Sequence, residues 1–174
     1  ASAMPPAFAG EAPASSWVGN VGVVSDYLFR GLSQTHRKPA VQAGIEFDHA
    51  GGWYLGGWGS NVSWLSDAST TAAPVSSSVE LDLYGGYRGS FGGDWNYDLG
   101  AYRYQYPGSY PAGFTLPSTS ELSAAHVWKA FSLKYSYALT NLFGYADSGH
   151  SGYLDLSWNQ PFASGWQLNA HVGH

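Results

Sequence analysis

The sequence predicts an all-β chain, an antiparallel up-and-down meander of the outer-membrane β-barrel type. Three observations predict it: apolar residues recur at every second position, long and short connections alternate, and the composition suits strands and turns. In the stretch 41–48, Val41, Ala43, Ile45 and Phe47 alternate with Gln42, Gly44, Glu46 and Asp48. A period of two places these sets on opposite faces of a sheet. One face can then meet an apolar medium while the other meets water and charge. The 174 residues include 23 Gly, eight Trp and thirteen Tyr, and only 11% are charged, well under the roughly 25% of an ordinary soluble domain.

Taken in order, residues 1–15 are rich in Ala, Pro and Ser and read as a flexible leader. Its first three residues, Ala-Ser-Ala, look like the small-residue end of a secretory signal. The β-barrel domain is expected over 16–174, with nine visible strands. The first, 17–30, sets Trp17, Val21, Val23, Tyr27 and Phe29 against Asn20, Gly22, Asp26 and Arg30. The second covers 40–48. The third, 53–64, sets Tyr54, Trp58, Val62 and Trp64 against Gly57, Gly59, Asn61 and Ser63. The fourth, 77–89, opposes Val79, Leu81, Leu83 and Tyr87 to Glu80, Asp82, Tyr84 and Arg88.

In the fifth strand, 95–106, Trp95, Tyr97, Leu99 and Ala101 oppose Asn96, Asp98 and Gly100. Its second half, with Arg103 and the tyrosines 102, 104 and 106, is expected to change faces across a bulge near Ala101. The sixth, 120–127, alternates least clearly. The seventh, 131–139, alternates most cleanly, with Phe131, Leu133, Tyr135, Tyr137 and Leu139 against Ser132, Lys134, Ser136 and Ala138. The eighth, 152–160, and the ninth, from 166 onward, carry Asp155 and His171 on their polar sides.

The connections at 31–38, 66–76, 107–118 and 141–151 are long, and those at 49–52, 90–94, 128–130 and 162–165 are short. Outer-membrane barrels have short periplasmic turns and longer outer loops. Strands of nine to fourteen residues also satisfy the 9–11 or so needed to cross a bilayer at a tilt. Aromatic residues near the strand ends, among them Trp17, Tyr27, Phe29, Trp53, Trp64, Trp95 and Tyr106, suit the two membrane interfaces.

Several function classes are excluded or unsupported. A net charge of -5 without a basic cluster argues against a nucleic-acid partner. The absence of Cys leaves no disulfide or thiolate site. His36, His49, His126, His150, His171 and His174 are scattered without metal-ligand spacing, so no metal and no cofactor is expected. Ser33 and Ser151 lack a nucleophile-elbow context, and no phosphate loop ends in Lys-Ser or Lys-Thr. No catalysis is expected.

The run Asn20-Val-Gly-Val-Val-Ser-Asp-Tyr-Leu-Phe-Arg-Gly-Leu-Ser-Gln-Thr35, followed by Pro39-Ala-Val-Gln42, resembles the TorF family of proteobacterial porins. Ser25, Asp26, Tyr27, Phe29, Arg30, Gly31, Ser33, Gln34, Thr35, Pro39, Ala40 and Gln42 stand at positions matching its S-D-Y-x-F-R-G-x-S-Q-T and P-A-x-Q signature. The stretches 133–137 and 152–155 look similar too. The resemblance implies an exported outer-membrane barrel, and members of that family run on for several more strands. Nine is an odd number for a bacterial barrel, so either the chain is a fragment, or it closes with fewer strands, or it is not a closed membrane barrel.

The charges on the polar faces are Asp26, Arg30, Glu46, Asp48, Glu80, Asp82, Arg88, Asp98, Lys134 and Asp155. If that face lines a lumen, its acidic excess favours cations or zwitterions. Otherwise the charges pair with one another and fill a narrow interior, Asp26 with Arg30 first among them. The expected function is passive passage of small polar solutes through an outer-membrane barrel held in lipid or detergent. The alternative is a non-transporting β subunit of a larger membrane assembly, or a periplasmic binding barrel.

Overall fold

The computed structural model describes residues 14–163 and 165–174. The expected leader therefore lies outside the described residues except for Ala14 and Ser15. The chain forms one nine-stranded antiparallel sheet in simple meander order. Its strands are β1 (Ser16–Val24), β4 (Ala40–Asp48), β5 (Trp53–Asn61), β6 (Val79–Gly92), β7 (Trp95–Gln105), β8 (Thr119–Trp128), β9 (Phe131–Ala138), β10 (Gly152–Pro161) and β11 (Gln167–Gly173). Two short strands, β2 (Leu28–Phe29) and β3 (Leu32–Ser33), make a separate hairpin, and α1 (Trp64–Asp67) is a single helical turn.

The expected meander is present, but the sheet is not closed into a barrel. Among the described residues, strand β1 pairs only with β4, and β11 pairs only with β10. Closure would need those two outer strands to bond each other. The sheet is nonetheless curled. Nine strands laid flat at the usual spacing would span roughly 40 Å, yet Arg30, just beyond β1, sits 4.3 Å from the Tyr153 ring centre in β10.

Side-chain alternation sorts the sheet into an outer apolar face and a concave polar one. On β4, Val41 and Ile45 are 59% and 54% exposed, while Gln42 and Glu46 are buried. On β6, Val79, Leu81 and Leu83 face out, while Glu80 and Asp82 face in. On β9, Phe131, Leu133 and Tyr135 are exposed opposite buried Ser136 and Ala138. This inverts the usual order of a water-soluble sheet, in which the covered face is the apolar one.

Three expectations are corrected here. The first strand stops at Val24 rather than running to residue 30, because the chain leaves the sheet there to build the β2–β3 hairpin. Tyr27 and Phe29 therefore leave the outward set that holds Trp17, Val21 and Val23; Tyr27 is buried, and both pack on the concave side. On β5, Tyr54 and Trp58 also point inward, while Trp53 and Leu55 point out; aromatic character misread the face that the register sets. Finally, the β6–β7 register runs unbroken from Leu81↔Gln105 to Ser90↔Asn96, and its one irregularity lies between Ser90 and Gly92. No bulge occurs near Ala101, so Tyr102 and Tyr104 share the concave face with Asp98.

The short-turn rim carries an outer belt of rings. Trp17 pairs with Phe47 at 5.0 Å, Trp53 with Tyr87 at 5.0 Å and Trp95 with Trp128 at 5.5 Å. Phe131 continues the row beside Trp128 and opposite Trp158. Each pair sits directly across neighbouring strands, where cross-strand aromatic contacts are strongest. Trp64 and Tyr106, also expected at an interface, are instead drawn into the core.

Candidate functional site

The long connections at the opposite end fold in over the concave face. Tyr27, Ala40, Val62, Leu65, Val75, Tyr104 and Tyr106 form a buried apolar cluster, with Phe29, Trp58, Trp64, Tyr110, Phe114 and Phe143 packed against it. Beneath and beside it lies the polar face.

The signature stretch builds this end. Arg30 and Gly31, at φ 48° and 81°, make the two-residue turn of the β2–β3 hairpin. Positive φ at both central residues marks a type I′ turn, the form that suits a tight hairpin. Gln34 donates its backbone N–H to the Tyr27 carbonyl at 2.7 Å, and its own carbonyl accepts from the amides of Ser63 and Trp64. Thr35 Oγ1 accepts the Tyr27 amide and donates to the Lys38 carbonyl at 2.6 Å. Asp26 accepts a 2.6 Å bond from Ser33 Oγ. The polar residues of the signature thus fold the hairpin onto itself.

Two members of the signature reach across the molecule. The Tyr27 hydroxyl donates to Glu80 Oε1 at 3.0 Å and its ring meets Trp58 edge-on. Arg30 donates through both terminal nitrogens to Glu121, at 3.0 and 2.8 Å. Its guanidinium also lies over the rings of Phe29, Phe143 and Tyr153. Burial, and then the charge of Glu80, pushes the Tyr27 phenol far above its ordinary value. The same two causes, in the same order, raise Tyr106.

Closer to the short-turn rim lies a second polar group. Arg88 Nη1 donates to Glu46 at 2.6 Å and to Asp48 at 2.9 Å, and its Nε donates to Asp98 at 3.1 Å. The guanidinium stacks 3.7 Å from the Tyr54 ring centre, and the Tyr54 hydroxyl completes Asp98 with a 2.7 Å bond. A Cβ on Gly86 would run into the Leu99 carbonyl and the Tyr54 hydroxyl, so a bare backbone there lets the tyrosine reach Asp98. A third group joins Asp155 to Ser157 at 2.5 Å and to His171 at 3.0 Å. Lys134 lies over the Tyr102 ring.

Glu46, Asp48, Glu80, Asp82, Arg88, Asp98, Lys134 and Asp155 therefore occupy the concave face as strand residues. Asp26 and Arg30 do not, since they belong to the hairpin segment. The expected Asp26–Arg30 pair is also corrected: once the chain turns at Arg30, the guanidinium points away to β8 while Asp26 turns back to Ser33. Reasoning from sequence missed Glu121, 2% exposed, because the weak alternation of its strand hid which face it served. It also missed Tyr27 and Tyr54 as lining groups. With Glu121 included, seven carboxylates face three cations (Arg30, Arg88 and Lys134) across the concave side among the described residues, histidines aside. Asp82 Oδ1 is buried with no hydrogen-bond partner. No cluster of three or more His, Cys, Asp or Glu arranged to hold a metal ion occurs among the described residues.

Residues 9–174, nearly the whole chain, match one family of bacterial proteins. The chain belongs to the Gcw_chp family, bacterial proteins of unknown function. Comparison of this Gcw_chp chain with curated proteins and with solved structures gave no match. Among the described residues no helix is long and apolar enough to cross a membrane.

Proposed function

We propose that this protein is a porin-like outer-membrane β-sheet protein of the TorF kind, whose concave face lines a path for the passive passage of small polar solutes. The observation that carries this reading is the inverted burial. Glu46 and Glu80 are 2% and 1% exposed, while the Leu83 behind them is 59% exposed. Water would reverse that arrangement; a hydrocarbon surround with an enclosed polar interior produces it. The aromatic belt at the short-turn rim sits where a membrane–water interface favours ring side chains.

In this reading the mechanism is diffusion filtered by width and charge, with no catalytic step. The excess of carboxylates lowers the local potential and raises the concentration of cations and zwitterions over anions. The Arg88 group marks one station along the path. The partners are lipid on the outside and solute within, and the location is the bacterial outer membrane.

A second reading, a non-transporting β subunit of a larger membrane assembly, is favoured by the outer edges of β1 and β11, which carry no ladder partner among the described residues. Two measurements separate them. A membrane barrel in detergent should migrate faster unheated than boiled, and in planar bilayers it should give discrete conductance steps that favour cations. Purification as a water-soluble protein without detergent sinks the membrane reading. Detergent-bound protein that never conducts leaves the subunit.

A further inference from the structure

The hairpin closes the long-loop end of the concave face, and the residue at its tip makes a charged tie to the far flank. We infer that Arg30 is the pin of an inward-folded gate: its bidentate pair with Glu121 locks the β2–β3 hairpin across the mouth of the path. That such a gate controls passage rests on the transport reading; that it shuts the mouth does not.

Arg30 is an unusual choice for a hairpin tip. At φ 48° it occupies the left-handed region that Asn or Gly enters with less strain. A residue kept there against backbone preference points to what its side chain does. The side chain leaves the β1 side of the molecule and ends on β8, with Glu121, and over β10, with Tyr153. Together with Phe29 against Phe143, it carries the hairpin from one flank of the curled sheet to the other. Arg30 is 15% and Glu121 2% exposed at the side chain, so the pair is shielded from salt and both carboxylate oxygens are satisfied in the planar fork arrangement.

What the hairpin covers is the polar face itself. Phe29 packs edge-on to Tyr104 and Phe143, and Tyr27 caps Glu80. Ser60, directly across from Glu80 in the β5–β6 ladder, is buried. Because none of these contacts belongs to a ladder of the main sheet, the hairpin can lift without breaking one.

The chain has no cysteine, so a single introduced thiol reports access cleanly. Ser60→Cys protein, folded in detergent or lipid, is exposed to a water-soluble maleimide, alone and combined with Arg30→Asn or Glu121→Gln. Asn keeps the turn chemistry and removes the guanidinium; Gln keeps the shape and removes the charge. The expected result is slow labelling in the Ser60→Cys protein and labelling about tenfold faster or more in both combinations, as loss of a buried bidentate pair implies. Unchanged gel mobility of the unheated protein shows that the fold survives, and if one variant misfolds the other decides. Equal labelling rates in all three overturn the gate. Conductance is read in parallel. Faster labelling with larger or more frequent current steps supports both the gate and transport. Faster labelling with no current from any variant retains the pin and refutes transport. Faster labelling with currents identical to the parent's overturns Arg30 as the control on passage.

Discussion

At the scale of single residues, the molecule is organised by a few buried carboxylates and the groups that satisfy them. Glu80 takes a hydroxyl from Tyr27, Glu121 takes both arms of Arg30, and Glu46, Asp48 and Asp98 share Arg88. A buried acceptor that loses its donor costs more than the bond itself contributes, because the group is left neither hydrated nor paired. Tyr27→Phe should therefore destabilise the folded protein by about 1–3 kcal/mol, measured as a shift of the urea midpoint in lipid vesicles with an unchanged slope. A neutral outcome would mean that water already serves Glu80. Of these residues, the charged ones on clean alternating strands were legible before the fold was known. Their partners were not: the Arg30–Glu121 pair joins positions 91 residues apart, and Tyr27–Glu80 joins positions 53 apart.

At the scale of elements, the period of two decided nearly everything about the strands and almost nothing about the loops. Strands β4, β6 and β9 present the faces that alternation predicts. Strand β5 keeps the expected grouping of Tyr54 with Trp58 but turns it inward, because its glycines at 56, 57 and 59 weaken the contrast and Trp53 and Leu55 take the outer face. The outward face of β6 offers a direct test of its surroundings. Leu83→Arg should cost about 2–4 kcal/mol in a bilayer if it lies near the midplane, measured by urea unfolding in vesicles. The same change on a water-washed face would stay within about 0.5 kcal/mol. The signature stretch, expected as strand to Arg30 and polar loop beyond it, is hairpin instead: Arg30 and Gly31 both take positive φ, and the Asp, Ser and Thr side chains bond to nearby backbone and side-chain groups rather than leaving a ladder intact.

At the scale of the whole molecule, the sheet is a curled ribbon with two edges, tied across its long-loop end by side chains rather than by strand pairing. Amide exchange should therefore be fastest in β11 and β1 and slowest in β6 and β7, whose ladders are bonded on both sides. Protection of the edges equal to that of the centre would show that another strand covers them in solution. The sequence by itself determined the all-β class, the nine strands of the main sheet, their meander order and the two-faced character, since each follows from local periodicity and loop length. Only the tertiary structure decided which carboxylate each arginine meets, that the signature folds inward as a hairpin, and that the first and last strands stay apart. Those outcomes depend on the curvature of the sheet, which arises from the packing of all nine strands at once and leaves no mark on any one of them.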